Sequence, residues 1–211
     1  MKQLICLISL GALLLFGVEY KVQAQDGWKY LFNGKDLSGW QVGENAASFS
    51  VSDGRIKVAG PKAHLFYMGE IETHNFENFE FQATVMTLPG SNSGIYFHTT
   101  YQEASWPQLG YEVQVNNSHT DWKRTGSLYN VVDIKENYAR DNEWYTEYIR
   151  VEGTHIIVKI NGVTVVDYEE KDVDKRPEDT IHRVIKSGTF ALQAHDPKSI
   201  VYFKDIKVRL L

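Results

Sequence analysis

The sequence predicts an all-β fold, a sandwich of two antiparallel sheets of the jelly-roll kind. About a dozen short segments alternate apolar and polar residues with the period of a strand, and turn residues separate them. Helical periodicity is nearly absent over the same length. Asn161-Gly162 lies at the centre of a hairpin, His155–Tyr168, because this pair accepts the positive φ angles of a type I′ turn. A closed barrel is the alternative that the same strand pattern allows.

The chain begins with a segment that has the features of a secretion signal. Lys2 gives a positive start, Leu4–Val18 is apolar, and Val22–Ala24 has the small-residue pattern of a cleavage site. The apolar stretch is short for a membrane span, although an N-terminal anchor is the alternative. We therefore expect residues 1–24 to be removed. Residues 25–211 would be one domain, exported to the periplasm or outside the cell, without a membrane anchor.

The composition argues against one class of partner. Without the predicted signal, the chain carries 20 basic and 26 acidic side chains, a net charge of −6. No basic block stands out, so we expect no nucleic-acid partner, because such binding depends on lysine and arginine at phosphates. The one cysteine, Cys6, lies in the predicted signal, so the exported domain would have no disulfide. The oligomeric state is left open.

The predicted strands follow one another along the chain, each bounded by a turn or loop. Those near the N-terminus are short: Trp28–Phe32, Leu37–Trp40, Phe49–Val51, Arg55–Val58 and His64–Met68. The later ones are Phe76–Met86, Ile95–His98, Tyr111–Val115, Ser127–Val132, Trp144–Val151, the two strands of the hairpin, Thr189–His195 and Ile200–Leu210. The charged segments Ile134–Asn142 and Glu169–Lys186 are predicted as loops, the second with room for one short helix. We expect Trp28, Trp40 and Trp144 in the core.

The candidate site comes from the alternation in three of these strands, Ile95–His98, Tyr111–Val115 and Phe190–Asp196. Successive side chains of a strand point to opposite faces, so the apolar residues of each run are predicted to face the core. The polar residues would then share an open surface if the three strands lie in one sheet. These residues are Tyr96, His98, Glu112, Gln114, Gln193 and His195.

A set of segments follows a recognisable order along the chain. They are LFNGKDLSGW (Leu31–Trp40), NSGIYF (Asn92–Phe97), GYEVQV (Gly110–Val115), TGSLYN (Thr125–Asn130), Asn142–Tyr168 and the closing GTFALQAHD with VYFKDIKVR. This ordered set resembles the 3-keto-disaccharide hydrolase domain family. The resemblance covers nearly all of the exported domain, and its specificity comes from the ordered set. It implies a concanavalin A-like jelly roll and activity on glycosides whose sugar carries a ketone at C3.

An ordinary retaining glycosidase needs two carboxylates about 5–5.5 Å apart. Alternate positions of one strand can supply such a pair, but Glu112 is followed there by Gln114. This chemistry is therefore disfavoured unless a loop supplies the acid, for which Glu103, Asp121 and Asp133 are candidates. A 3-keto sugar requires something else. One base removes the acidic C2 proton, a donor or cation stabilises the enolate, and an acid protonates the leaving oxygen.

We therefore predict Glu112 and His195 as the catalytic core. One of them acts as the base, or both help to hold a divalent metal that polarises the ketone, although no close-spaced ligand motif supports a metal. The residues predicted to bind and position the sugar are Tyr96, His98, Gln114, Gln193, the candidate donor Tyr129 and the loop ring Trp106. A role for Glu112 in a solvated cross-strand pair and hydrogen-bonded bystander roles for the histidines are the alternatives.

Four further positions lie in or beside the strands that carry the predicted site. Trp106 offers a stacking face for a sugar, or else covers an edge of the sandwich. His119 is in a loop that reaches the rim of the cleft. Gly94 and Gly110 are interpreted as backbone-permissive positions rather than site residues.

The family pattern leads us to expect arginine after NSGIYF, where this chain has His98, so its substrate can differ from that of typical members. Two function classes stay open, an enzyme that cleaves oxidised glycosides and a carbohydrate-binding module on the same fold.

Overall fold

A computed structural model describes residues 27–171, 173–175, 178 and 180–211. The predicted signal, residues 1–24, lies outside the described residues. The described chain forms two antiparallel sheets packed against each other, so the predicted sandwich is confirmed and the closed barrel is wrong. Within these residues, no helix is both long enough and apolar enough to cross a membrane.

The larger sheet has eight strands in the order β11-β10-β9-β6-β13-β4-β3, with the short β1 also paired to β13. Its strands are β1 (Lys29–Tyr30), β3 (Phe49–Ser52), β4 (Arg55–Ala59), β6 (Phe79–Thr87), β9 (Tyr145–Glu152), β10 (His155–Ile160), β11 (Val163–Glu169) and β13 (Ile200–Leu210). The hairpin of β10 and β11 is confirmed. Asn161 and Gly162 both have positive φ angles, 50° and 81°, as the turn requires.

The smaller sheet has five strands in the order β2-β5-β12-β7-β8. Its strands are β2 (Trp40–Val42), β5 (Ala63–Tyr67), β7 (Ser93–Thr99), β8 (Tyr111–Val115) and β12 (Thr189–Ala194). The described helical segments are short 3-10 turns at Ala46–Ser48, Ile71–His74 and Val173–Lys175. The three strands predicted to carry the site, β7, β8 and β12, are therefore in one sheet, as the sequence analysis required.

The core lies between the sheets and is built from alternate strand positions. Phe79 and Phe81 of β6 meet Phe97 of β7 and Phe190 of β12, and each of these side chains is fully buried. Burying one such ring stabilises the fold by roughly 1.5–3 kcal/mol, so these contacts hold the sheets face to face. The opposite face of the smaller sheet combines polar side chains with a small hydrophobic cluster around Phe66 and Ala191, and loops rather than a third layer cover it.

Some local predictions were wrong. Trp40 is buried, but Trp144 is 38% exposed and lies beside the Lys204 ammonium, and Trp28 is half-buried beneath two basic side chains. The predicted strand Ser127–Val132 is a turn region that pairs only through isolated bridges at Leu128. The rings of Trp28 and Trp144 lie beside cationic side chains of β13, and such contacts stabilise an aromatic face without a place in the core.

Candidate active site

The polar face of the smaller sheet brings most of the predicted site residues together. Tyr96 on β7 lies opposite Glu112 on β8, and Gln193 on β12 lies opposite His64 on β5. The apolar partners of these positions face the core, as the alternation predicted. All four polar side chains are nevertheless almost fully buried, because loops close over this face.

Glu112 is the centre of this arrangement. It is 4% exposed, and its two carboxylate oxygens accept hydrogen bonds from Tyr96 Oη at 2.8 Å and Gln193 Nε2 at 2.9 Å. Burial raises the pKa of Glu112, whereas Arg183, Tyr96 and Gln193 act in the opposite direction without cancelling the rise. The alternative of a solvated cross-strand carboxylate is therefore wrong, because Glu112 is neither exposed nor paired across the strands with a surface residue.

Gly94 makes room for this carboxylate. A Cβ atom at Gly94 would lie 2.4 Å from Glu112 Oε1 and 3.0 Å from its Cγ. The φ angle of Gly94 is not in the left-handed region, so the glycine is needed here for space. The sequence interpretation of Gly94 as a purely backbone-permissive position is therefore wrong. That of Gly110, whose φ is 77°, is confirmed.

A cavity of about 240 Å³ opens above Glu112. This volume is just below the range of about 300–1,000 Å³ that drug-sized ligands occupy, so it suits a single sugar ring. Its walls combine residues from the sheet with residues from five connecting segments. They are Asn92, Tyr96, Trp106, Pro107, Glu112, Gln114, Asp121, Tyr129, Arg183, Gln193 and His195.

Every predicted site residue except His98 is therefore in one cavity. The orientation predicted for His98 is wrong, because its backbone has a left-handed φ of 55° and a register shift interrupts the pairing of β7 with β12. This irregularity breaks the alternation. The ring of His98 packs against Phe79 and Phe97, and its Nε2 donates to the Glu77 carbonyl at 3.0 Å. Burial lowers the pKa of His98 to about 4, so the ring is neutral at physiological pH.

Arg183 is the site residue that the sequence analysis missed. It precedes β12 in the charged segment predicted as a loop, and its guanidinium lies 4.0 Å from Glu112 Oε2. The same group lies 5.6 Å from the ring centre of Tyr129, and Lys123 Nζ lies 4.2 Å from that centre. Two cations thus flank Tyr129. The cavity has a cation beside its carboxylate even though His98 replaces the expected arginine.

Three wall residues carry buried polar atoms without a hydrogen-bond partner among the described residues. These atoms are Nε2 of Gln114, Oε1 of Gln193 and Oδ1 of Asn92. The three side chains are only 1–2% exposed. Buried polar atoms are nearly always paired, so unpaired donors and acceptors in a cavity wall are suited to the hydroxyl groups of a polar ligand.

Trp106 forms the outer wall. It is 41% exposed, and its ring centre lies 5.5 Å from those of His64 and His195. His64 was missed as a site neighbour. Burial, followed by the nearby Lys62 charge, lowers the pKa of His64 to about 3, so this ring supports Trp106 as a neutral group. An indole face at a cavity mouth suits the apolar face of a sugar.

His119 lies next to a lining residue but does not itself line the cavity: its ring centre lies 5.5 Å from that of His195. In the described ranges, His119, His195 and Asp196 are the one group of three metal-ligating side chains with ligand atoms within 4.8 Å of one another. Asp121 N–H donates to His119 Nδ1 at 3.1 Å, which assigns the ring proton to Nε2. A ligating nitrogen needs a free lone pair, so His119 Nε2, directed toward Asp196, does not fit a metal there.

A second, larger hollow of about 580 Å³ lies beyond the loop at Asn117 and Ser118, and is lined by Tyr138, Asp141 and Trp144, among others. None of the predicted catalytic residues lines it.

Glu147 of β9 is in the core and is also fully buried. Burial raises its pKa well above the usual value, and neither of its oxygens has a hydrogen-bond partner among the described residues. The smaller cavity is therefore the better candidate, because it combines a buried acid with converging donors.

Solved structures of similar fold include several carbohydrate-related proteins. A candidate glycosyl hydrolase from Parabacteroides distasonis ATCC 8503 has a TM-score of 0.71 at 22% identity, over 88% of this chain and 94% of that one. The carbohydrate-binding module CBM66 from Bacillus subtilis has a TM-score of 0.58 at 12% identity, over 81% and 95%. The mannose- and calcium-bound lumenal domain of VIP36 has a TM-score of 0.54 at 10% identity, over 82% and 83%. At these identities the likeness concerns the fold.

The fold is a β-sandwich of two antiparallel sheets with a polar cavity on the smaller sheet. A model of the 3-keto-alpha-glucoside-1,2-lyase-like domain matches residues 27–209, and the chain belongs to this family. No curated protein matches the chain.

Proposed function

We propose that the protein is an exported enzyme that cleaves glycosides whose sugar carries a ketone at C3. It does so by elimination followed by addition of water, with net hydrolysis. One observation carries the proposal: a single sugar-sized cavity joins the buried Glu112 carboxyl to the Arg183 cation and the His195 imidazole. Family membership supports the substrate class, and the sequence of residues 1–24 supports export.

The first half of the reaction breaks two bonds. Glu112 takes the proton from C2, which the neighbouring ketone makes acidic, and the electron pair moves toward the C3 oxygen. Arg183, 4.0 Å from Glu112 Oε2, supplies the positive charge that stabilises the enolate. The C1–oxygen bond then breaks as the C1–C2 double bond forms, and protonated His195 gives a proton to the leaving oxygen.

The second half restores the enzyme. Water adds its oxygen to C1 and gives a proton to His195, while Glu112, after exchanging its proton with solvent, protonates C2. Both residues end in the protonation states in which they began, so the atoms and charges balance. The raised pKa of Glu112 supports this exchange, because a base works best when its proton affinity is close to that of the reacting group at the operating pH.

The reaction in D₂O tests the proposal with a 3-keto-α-glucoside and the matching unoxidised glucoside. We expect cleavage of the oxidised substrate alone, with deuterium at C2 of the product from the first turnover. Glu112→Gln should lose about 10³-fold in turnover, within the range of one acid–base group. Glu147→Gln is the matched control, because it changes another buried glutamate outside the cavity and should retain turnover.

Three outcomes would overturn the proposal. Equal cleavage of the unoxidised glucoside without deuterium at C2 would indicate an ordinary glycosidase. Sugar binding without turnover, with or without added divalent metal, would indicate a binding module. Full activity of Glu112→Gln would remove Glu112 from the chemistry.

A further inference from the structure

Asp196 follows the predicted catalytic histidine and is held by several donors. Ser199 Oγ donates to its Oδ2 at 2.7 Å, and the backbone N–H of Lys198 donates to Oδ1 at 2.8 Å. His195 Nδ1 lies 3.0 Å from Oδ2. Burial acts to raise the pKa of Asp196, but the hydrogen bonds from Ser199, His195 and Lys198 outweigh it and lower the pKa to about 2. The carboxylate is therefore ionised at physiological pH.

An ionised carboxylate only accepts hydrogen bonds, and this determines the histidine tautomer. His195 must carry a proton on Nδ1, which leaves Nε2 as the nitrogen available to the cavity that His195 lines. His119 approaches the same carboxylate oxygen, with its Nε2 4.0 Å from Asp196 Oδ2. Since Asp121 N–H occupies His119 Nδ1, His119 also directs an N–H toward Asp196.

The loop that carries His119 is itself anchored. Asn116 Oδ1 accepts from the backbone N–H of His119 at 2.8 Å, and Arg124 Nη1 donates to the His119 carbonyl at 2.9 Å. The arrangement therefore has a fixed imidazole, a fixed carboxylate and the His195 ring, which contacts Trp106 at the cavity mouth. The charged and titratable groups around His195 are Asp196 beside it, His119 and Asp121 from the loop, His64 from β5 and Glu112 from β8.

We propose that Asp196 is a positioning residue that holds His195 with Nδ1–H toward the carboxylate and Nε2 toward the leaving-group oxygen, with His119 as the second N–H facing Asp196. The role given to His195 Nε2 rests on the proposed function. The tautomer of His195 rests only on its contact with Asp196. This assignment also leaves no metal between the two imidazoles: His195 Nδ1 is hydrogen-bonded to Asp196 at 3.0 Å, and His119 Nε2 faces the same carboxylate at 4.0 Å.

Long-range ¹H–¹⁵N correlation spectra of histidine side chains test the tautomer directly in the free protein. The spectra are recorded at about pH 9, well above the usual imidazole pKa. We expect the Nδ1–H pattern for His195 and the Nε2–H pattern for His119 in the wild type. Asp196→Asn should shift His195 to the Nε2–H form that imidazoles prefer in water. Asp167→Asn is the matched control, because Asp167 contacts His155 at 2.6 Å on the other sheet.

Two results would overturn the assignment. One is an Nε2–H pattern for His195 in the wild type, or a pattern that Asp196→Asn leaves unchanged. The other is stoichiometric Zn²⁺ binding in calorimetry that both Asp196→Asn and His119→Ala abolish. In turnover assays Asp196→Asn should lower kcat about 10²-fold with KM nearly unchanged, as expected for misoriented acid–base catalysis. Loss of turnover in every protein, wild type included, would contradict the proposed reaction while the spectra still decide the tautomer.

Discussion

Two glutamates of this protein are both buried, but they differ in their hydrogen-bond partners and in their access to a cavity. Glu112 lies on the polar face of the smaller sheet and accepts hydrogen bonds from Tyr96 and Gln193, with Arg183 4.0 Å away. Glu147 lies on the core face of the larger sheet, and its oxygens have no hydrogen-bond partner among the described residues. Burial raises the pKa of both.

The comparison shows that a raised pKa alone does not identify an active site. Desolvation acts on any carboxyl taken out of water, whether or not a ligand can reach it. What distinguishes Glu112 is that oriented donors, a cation and a cavity meet at the same carboxylate. Burial alone favours the neutral form of Glu147. Because the buried carboxyl has no hydrogen-bond partner among the described residues, it lowers the free energy of unfolding.

The space beside Glu112 is the feature most easily broken. Gly94→Ala places a Cβ 2.4 Å from Glu112 Oε1, so the carboxylate must move. We expect turnover to fall about 10²-fold, because a displacement of about 1 Å can cost that much when reacting groups are prealigned. Steady-state kinetics measure the loss. In the Glu112→Gln background the glycine substitution should add little, and wild-type turnover in Gly94→Ala would contradict the role given to this space.

Glu147 should give the opposite result, with an effect on stability and none on turnover. Its pKa is raised in the folded state, so above the unfolded-state value the folded protein holds a proton that the unfolded chain releases. Stability contributed by the neutral form is thus complete at low pH and declines as the pH rises. Glu147→Leu should therefore be more stable than wild type by about 1–3 kcal/mol at pH 7, and this gain should shrink toward pH 4.

Urea unfolding at the two pH values measures this difference. A gain that is equal at both pH values would show that packing, rather than ionisation, is responsible. A loss of stability at pH 7 would show that Glu147 has a partner that stabilises it.

The same contrast applies to the histidines, with His195 in the cavity and His98 in the packed interior. Burial lowers the pKa of His98 to about 4, so the unfolded chain takes up a proton first as the pH falls. The stabilisation that comes from the neutral ring is complete at pH values above the pKa of the unfolded state. It is lost as the pH falls from that pKa to the lower pKa of the folded state. Between pH 7.5 and 5 this removes about 2 kcal/mol from wild type. His98→Gln should lack this share of the decline in urea unfolding.

His155→Gln is the control, because His155 is a partly exposed histidine of the larger sheet. An equal decline in stability for wild type and His98→Gln would contradict the proposed linkage. Turnover of His98→Gln should remain close to wild type, since the ring does not line the cavity.

Alternation along the strands was sufficient to predict the two-sheet fold and most of the cavity. The common face of Tyr96, Glu112 and Gln193 follows from regular strands whose other residues are apolar. The orientation of His98 could not be predicted, because neither a histidine nor its sequence neighbours signal a local irregularity with a left-handed φ. The role of Gly94 depends on where a side chain from the adjacent strand comes to lie, which is a tertiary fact.

Arg183 could not be predicted for a different reason. It lies in a segment rich in charges, and such a run is most often a solvated surface. Its approach to Glu112 depends on where a residue distant in the sequence comes to lie against the smaller sheet, and no periodicity of the sequence encodes that contact. Asp196 carries a weaker signal, because it directly follows His195 in the sequence.

The loops that cover the polar face of the smaller sheet have one further consequence. On each strand of this sheet, one set of alternate side chains packs between the two sheets, and the other set faces the loops and the cavity. Because well-separated positions contribute almost independently to stability, we expect the cost of exchanges on the cavity side to depend little on the packing between the sheets. Substitutions in the cavity wall can thus change which ligand fits there while the core between the sheets stays the same.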